Sequence, residues 1–306
     1  PTACLPAILA TEVALAKLWL SWGVEPVALT GHSMGEYTAA CLSGVISLED
    51  ALRIVAVRGR LVDSIPTSGR MLSVPLPESE LRALLPADLD LGVVNGPSLC
   101  VVCGETGAIE RFDAELRARD IEGQLLRVPA AGHCRLLDPI LDEFSRCLQT
   151  VTFSAPRIPY VSNLSGTWVV PDDARDPAYW VRHFRESVRF SQGIAALLED
   201  PNRVLLEVGP GQTLASLARQ QPKSARAAFG SLRHPDDTVP DEIFMAGSFG
   251  RLWASGVDVD WSVRRGEESR LRVALPKYSW EHQRYWIDPA KQESTAAATE
   301  AELKEK

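Results

Sequence analysis

The run Val27-Ala28-Leu29-Thr30-Gly31-His32-Ser33-Met34-Gly35-Glu36-Tyr37 constrains this chain more than any other stretch. A short apolar segment stops at a glycine, sets one serine between two glycines, and continues in residues that read as a helix. This is the pattern of a nucleophile elbow, a tight strand-to-helix turn that holds a serine in strained backbone. Gly31 and Gly35 are expected to remove side chains that would collide there. The hydroxyl then stands at a helix N-terminus, where backbone N–H groups and the helix dipole stabilise an oxyanion. The other reading of the same residues is a βα turn carrying a serine by chance.

The chain has 306 residues, 45% of them hydrophobic, enough for one large or two modest domains with real cores. A net charge of −8 argues against nucleic acid or an anionic membrane as partner, since both need clustered Lys and Arg. With no apolar run of about eighteen residues and no leader pattern, a cytoplasmic location is expected and no membrane contact. Six scattered cysteines predict reduced thiols. Cys100 and Cys103 form a C-x-x-C pair, but in the strand-like Leu99–Cys103 run their thiols would diverge, so no metal site is expected.

Leu5 to Trp22 is apolar on nearly every face and predicts a buried helix. The helix begun at the elbow runs to Leu42 and is broken at Ser43-Gly44. Ser47 reads as the N-cap of a capping box opening a helix from Leu48 to about Val62. On that helix Arg58 falls on the apolar stripe of Leu48, Ala51, Val55 and Val62. An inward guanidinium must be paired. The partner is either a protein carboxylate or the carboxylate of a ligand held by two parallel N–H···O bonds.

From Gly69 the texture changes. Strands at Met71–Leu76, Leu89–Val94, Leu99–Cys103 and Gln124–Val128, with helices at Glu78–Leu85 and Ala108–Arg119, give the β-α-β-β-α-β order of a ferredoxin-like unit. The expected fold class is α/β: a parallel-sheet, hydrolase-like large subdomain with an inserted ferredoxin-like subdomain. The large subdomain is assigned residues 1–65 and 131–232, and the insertion residues 66–130. After the insertion, His133 lies at a loop-to-helix junction before an amphipathic helix, Leu136–Leu148. By itself it reads as a surface or capping histidine; coupled to an elbow serine it becomes a general base. His32 adjoins the serine, but consecutive residues in a tight turn diverge, which favours a structural role. Pro156–Trp168 and Val204–Leu206 read as further strands.

Gly31-His32-Ser33-Met34-Gly35-Glu36-Tyr37, Arg58-Gly59-Arg60, Asn95-Gly96-Pro97, the His133 junction, Tyr179-Trp180-Val181-Arg182-His183-Phe184-Arg185 and Glu207-Val208-Gly209-Pro210-Gly211 occur in this order. Together they resemble the acyltransferase domain of modular polyketide synthases, which is similar to malonyl-CoA:acyl-carrier-protein transacylases. The likeness covers about Pro1 to Leu232. It implies that Ser33 is acylated by an extender-unit CoA thioester, that His133 is its base, and that Arg58 binds the extender's carboxylate. It implies an oxyanion donor in the backbone N–H of Met34, and a dyad rather than a triad, with the main-chain carbonyl of His183 orienting His133. His32, Asn95, Ala130 and Gly132 are the further positions implied to line the substrate. No bound cofactor or metal is implied: the CoA thioester is the donor substrate and phosphopantetheine comes with the partner. The implied partners are an acyl carrier protein and the adjacent ketosynthase and linker domains of a synthase making secondary metabolites such as antibiotics.

Two departures from the family bear on function. Its members begin with a strand and a Phe-Pro-Gly-Gln-Gly turn that helps line the oxyanion hole; this chain starts after them, so lower stability and activity are expected of it alone. Ala130-Ala131-Gly132-His133 stands where malonyl users usually show His-Ala-Phe-His and methylmalonyl users Tyr-Ala-Ser-His. Gly132 opens space for an α-substituent, yet one methyl group discriminates by only about 1–3 kcal/mol. The rest of the sequence resembles malonyl users at least as much, so malonyl-CoA is expected over methylmalonyl-CoA. The competing functions are a serine hydrolase or editing thioesterase, which an inward Arg58 opposes, and a non-catalytic scaffold. Residues 233–288, dense in aromatics towards their end, resemble the linker that packs back on the acyltransferase; the same aromatics would also suit a small C-terminal lobe. The Ala-, Glu- and Lys-rich stretch from Pro289 to Lys306 is expected to be a flexible tail.

Overall fold

The computed structural model describes residues 1–222, 227–265 and 271–287. The chain divides into two compact units, Pro1–Gly266 and Glu267–Lys306. The expected tail, 289–306, lies outside the described residues.

The first unit opens with α1 (Cys4–Ser21), which buries Leu9, Val13, Ala16 and Trp19 and leaves Leu18 and Leu20 exposed. Its burial is one-sided, not all round as the composition suggests. Strand β1 (Leu29–Thr30) leads through the elbow into α2 (Met34–Ser43), which ends on left-handed Gly44. Helix α3 (Leu48–Asp63) starts where Ser47 accepts the N–H of Asp50 at 3.0 Å. Among the described residues α1 alone is long and apolar enough to cross a membrane; it packs against α2 and α3.

Next come β2 (Gly69–Val74), α4 (Glu78–Leu84), β3 (Asp90–Gly96), β4 (Leu99–Glu105), α5 (Thr106–Arg117) and β5 (Gln124–Leu125). They form a four-stranded antiparallel sheet in the order β3-β4-β2-β5, the ferredoxin-like arrangement, over a core of Leu72, Leu81, Val102, Ile109 and Phe112. Cys100 faces that core, while Cys103 faces a second one shared with Ala131, Val188 and Phe190. The alternation of a strand thus sends the two thiols to opposite sides of the sheet.

The expected helix from Leu136 to Leu148 is two elements. A 3-10 segment, Arg135–Ile140, contains Pro139, and α6 (Leu141–Leu148) follows it. Proline lacks the N–H of an α-helical bond and crowds the preceding turn, so the α-helix starts only beyond it. Of the expected strand Pro156–Trp168, only β6 (Tyr160–Val161) forms, pairing in parallel with β1, and Trp168 returns to bridge Val161. Helices α7 (Pro171–Arg175), α8 (Pro177–Arg185) and α9 (Phe190–Leu197) follow, α8 capped by Asp176, whose carboxylate accepts the N–H of Ala178. Strand β7 (Leu205–Glu207) pairs in parallel with β8 (Ala228–Gly230) around α10 (Thr213–Arg219). The main core gathers Leu9, Tyr37, Ile54, Phe144, Trp180 and Phe184 from α1, α2, α3, α6 and α8. Residues 26–32 around β1 and 204–210 around β7 line one groove of about 880 Å³.

Helix α11 (Asp241–Ala254) packs Met245, Phe249 and Leu252 against Leu15 and Trp19 of α1. Residues 257–260 are irregular, and α12 (Trp261–Arg265) follows, with the Trp261 ring edge-on to Phe249. In the second unit, residues 271–287 form neither helix nor strand; the rings of Tyr278 and Trp280 meet edge-on at 5.0 Å.

Candidate active site

Ser33 has φ 50° and ψ −104°, a conformation that non-glycine residues avoid. Of the two glycines around it, Gly31 is the one the turn requires. A Cβ on Gly31 would lie 2.0 Å from the carbonyl carbon of Gly35, whereas a Cβ on Gly35 would meet nothing within 4 Å. The expectation that both prevent a collision therefore holds for Gly31 alone, because Gly35 already lies in α2 beside the groove, where a Cβ has room. Met34 is the first residue of α2, and the N–H groups of a first turn have no partner within the helix.

His133 brings its Nε2 to 2.6 Å from Ser33 Oγ. Its Nδ1 lies 2.9 Å from the carbonyl oxygen of Glu186. A carbonyl can only accept, so Nδ1 carries the proton and Nε2 presents its lone pair to the serine. The orienting carbonyl is thus that of Glu186, not of His183. Carbonyls within α8 point along the helix axis, while Glu186, at its C-cap, has turned to extended backbone (φ −85°, ψ 167°) and can aim sideways. His183 contributes its ring instead, with Nε2 3.2 Å from the carboxylate of Glu36. Burial first, then the Arg58 guanidinium, holds the His133 pKa well below the ordinary 6.5, which keeps the imidazole neutral and able to accept a proton.

Arg58 is 6% exposed and donates from Nη2 to Ser33 Oγ at 3.1 Å. Its guanidinium carbon stands 4.7 Å from the ring centre of Phe184 and 5.6 Å from that of Tyr37. Nη1 is buried with no hydrogen-bond partner among the described residues. The fully buried carboxylate of Glu36 is engaged by Asn163, Tyr179 and His183. Of the two partners that the stripe position left open, the protein carboxylate is absent among the described residues.

His32 Nε2 lies 2.8 Å from Asn95 Oδ1, and its ring leans on Phe190, so the elbow is tied to the end of β3 in the insertion. Asn95 thus holds His32. Gly132, next to His133, would direct a Cβ into open space, and Ala130 is half-buried beside it. Burial raises the thiols of Cys100 and Cys134 to about 11, so neither is a nucleophile here. Among the described residues no three His, Cys, Asp or Glu side chains gather to hold a metal ion.

Sequence reasoning missed a buried polar layer beneath the serine. The Asn163 carboxamide accepts the Ser33 N–H at 2.6 Å and donates to the Gly31 carbonyl at 2.8 Å. The N–H of Asn163 donates to Glu36 Oε2 at 2.7 Å, and the Tyr179 hydroxyl donates to Glu36 Oε1. Two signals were available: a glutamate inside the apolar start of α2, and a Ser-Asn pair at the carboxyl end of the strand beside β1, where α/β folds place ligand-handling residues.

These features accord with the comparisons to known proteins. A family model described as the acyl transferase domain matches residues 2–244. The chain is 37% identical over 286 residues to a component of the phenolphthiocerol/phthiocerol polyketide synthase of Mycobacterium tuberculosis, covering 93% of this chain and 19% of that protein. It spans about a fifth of that relative's length. Among solved structures, the acyl transferase domain of SpnD in complex with 2-(pent-4-yn-1-yl)malonyl is 43% identical, with a TM-score of 0.80 over 84% of this chain and 63% of that one. An acyl carrier protein S-malonyltransferase from Vibrio cholerae is 27% identical, with a TM-score of 0.67 over 76% of this chain and 78% of that one. The fold, the elbow and the matched family agree: this chain belongs to the acyl transferase domains of the polyketide synthase type, relatives of the malonyltransferases.

Proposed function

We propose that this domain moves a malonyl-type extender unit from its CoA thioester to the phosphopantetheine thiol of an acyl carrier protein, through an ester on Ser33. The observation that carries this reading is Arg58: a buried guanidinium beside the serine hydroxyl and the Tyr37 ring, with no carboxylate paired to it and no hydrogen bond from Nη1 among the described residues. A free carboxylate on the acyl group would supply the missing acceptor, and a planar fork holds it in one orientation.

In the first half-reaction His133 Nε2 takes the Ser33 proton as Oγ attacks the thioester carbonyl. The oxyanion forms at the start of α2, where the Met34 N–H is its donor. The C–S bond breaks and the proton on His133 goes to the CoA sulfur. In the second half the pantetheine thiol gives its proton to His133, its sulfur attacks the ester, and Ser33 recovers a proton as the C–O bond breaks. The Glu186 carbonyl holds the imidazole in one tautomer throughout and stabilises the imidazolium. Malonyl is the preferred extender over methylmalonyl, and the open space at Gly132 leaves room for an α-substituent. The work belongs in the cytoplasm, in a synthase whose ketosynthase and carrier domains are the partners.

Intact mass after brief exposure to malonyl-CoA and methylmalonyl-CoA in competition tests this, with Ser33→Ala and Arg58→Ala alongside. The expected result is a malonyl adduct lost in Ser33→Ala and weakened in Arg58→Ala, stable until a carrier thiol is added. No adduct from either CoA would overturn the reading. Rapid release into water without a thiol would make the protein a hydrolase.

A further inference from the structure

The nucleophile elbow is held by something other than its own helix. No side chain caps α2 at Ser33, and the serine's backbone stays in a region that favours relaxation. Two backbone groups that flank the turn, the Ser33 N–H and the Gly31 carbonyl, both end on one carboxamide, that of Asn163. Asn163 is itself fixed from two directions. Its N–H donates to Glu36, and its carbonyl accepts the N–H of Arg189 at 2.8 Å. It is 3% exposed and its amide touches no side chain that reacts.

Glu36 is fully buried, and such a carboxylate persists only where donors converge on it. The donors here are the Asn163 N–H and the Tyr179 hydroxyl, with the His183 ring beside them. Glu36 lies one turn along α2 from Ser33, so the helix that the serine opens also anchors the residue that holds the serine.

We infer that Asn163 is a positioning residue for the nucleophile, a clamp that keeps Ser33 in its strained backbone with Oγ on His133. This rests on the acyl-Ser33 reading given above. The demand on the side chain is specific. It must accept an N–H at one end and donate to a carbonyl at the other, across the span of an asparagine. A carboxamide does both. A carboxylate does only the first, and a neutral carboxylic acid of the same shape does both again.

The test uses the chain as it stands and two reagents, a fluorophosphonate that labels an activated serine and malonyl-CoA, followed by intact mass from about pH 5 to pH 8. Asn163→Ala is expected to slow labelling of Ser33 by both reagents by about a hundredfold, the scale of a misplacement near 1 Å. The half-saturating malonyl-CoA concentration should stay within about threefold, because Arg58 is untouched. Asn163→Asp is expected to recover towards the wild-type rate as pH falls and its carboxyl takes a proton. The titratable and charged groups around that position are Glu36 on α2, Tyr179 and His183 on α8, Arg58 on α3, and His133. The wild type lacks this recovery, since acid removes the neutral imidazole.

A merely structural asparagine would give no such pH-dependent rescue. Phosphonate labelling of Asn163→Ala within about threefold of wild type, or Asn163→Asp following the wild-type pH trend, would overturn the clamp. Should Asn163→Ala not fold, the Asn163→Asp arm decides. A wild type that takes the phosphonate but no malonyl group would overturn the acyl-transfer reading instead, and the phosphonate rates would still judge Asn163.

Discussion

Arg58 donates from Nη2 to the hydroxyl of Ser33 at 3.1 Å, while its Nη1, buried beside it, has no hydrogen-bond partner among the described residues. A cation half-satisfied next to a nucleophile selects for an acyl group that carries its own anion. Arg58→Ala is expected to reduce malonyl loading by one to two powers of ten, the scale of a charge-assisted pair at about 1.5–3 kcal/mol. Acetyl-CoA, which has no free carboxylate, should lose much less. Arg58→Lys should restore little, since an ammonium cannot form the fork. Loading rates for the two thioesters would show it, and equal losses on both would refute the assignment.

His133 makes a second prediction with a definite sign. Its pKa lies well below 6.5 because of burial, with the Arg58 charge adding to the effect. The acid limb of Ser33 labelling should therefore fall below the ordinary histidine range. Removing the positive charge in Arg58→Ala should move that limb upward, towards 6.5. A fluorophosphonate pH profile measures both, free of the carboxylate effect. A limb at 6.5 in the wild type, or a downward move in the variant, would contradict this account.

The two elbow glycines should respond oppositely to alanine. Gly31→Ala drives a methyl group to 2.0 Å from the Gly35 carbonyl carbon, so the turn must open; labelling of Ser33 should vanish and Tm should drop. Gly35→Ala meets no atom and lies in the first turn of α2, where alanine favours the helix by about 0.5–1 kcal/mol. Thermal unfolding of the pair settles the matter, and equal destabilisation would show that both positions are needed.

Glu12, on α1, faces the groove beside β1 and accepts a hydrogen bond from the Thr38 hydroxyl. Burial pushes its carboxyl up to about 7, with the Glu207 carboxylate adding to the rise. A carboxyl with a raised folded-state pKa gives stability that is full below its ordinary 4.5 and is lost as pH rises through about 7. Glu12→Gln keeps an acceptor for Thr38 without a charge. Relative to wild type it should therefore gain stability between about pH 5 and pH 8, on the order of 1–2 kcal/mol after allowance for its partial exposure. Urea unfolding at those two values would test it; a constant difference would exclude the effect.

The elbow, the inward Arg58 and the ferredoxin-like order were legible in the sequence because each is a local or periodic pattern. Glycine spacing announces the turn, a 3.6-residue stripe places Arg58, and alternating apolar runs separated by Asn95-Gly96-Pro97 announce paired strands. Less legible were the short strands of the large subdomain. β1 and β6 are two residues each, and β6 is held by pairing with β1 rather than by propensity. Pro139 was visible, but the amphipathic pattern around it outweighed the break that it makes.

A serine on a strained turn and a buried arginine on the following helix are written into the residue order, since both follow from chain-local sterics and helical periodicity. Three features required the folded chain: which carbonyl orients His133, what Arg58 lacks, and that Asn163, 130 residues along, grips the serine's backbone. These are contacts between elements distant in the chain. Their geometry depends on how helix ends and strand ends meet in space, and no residue's own spacing encodes it.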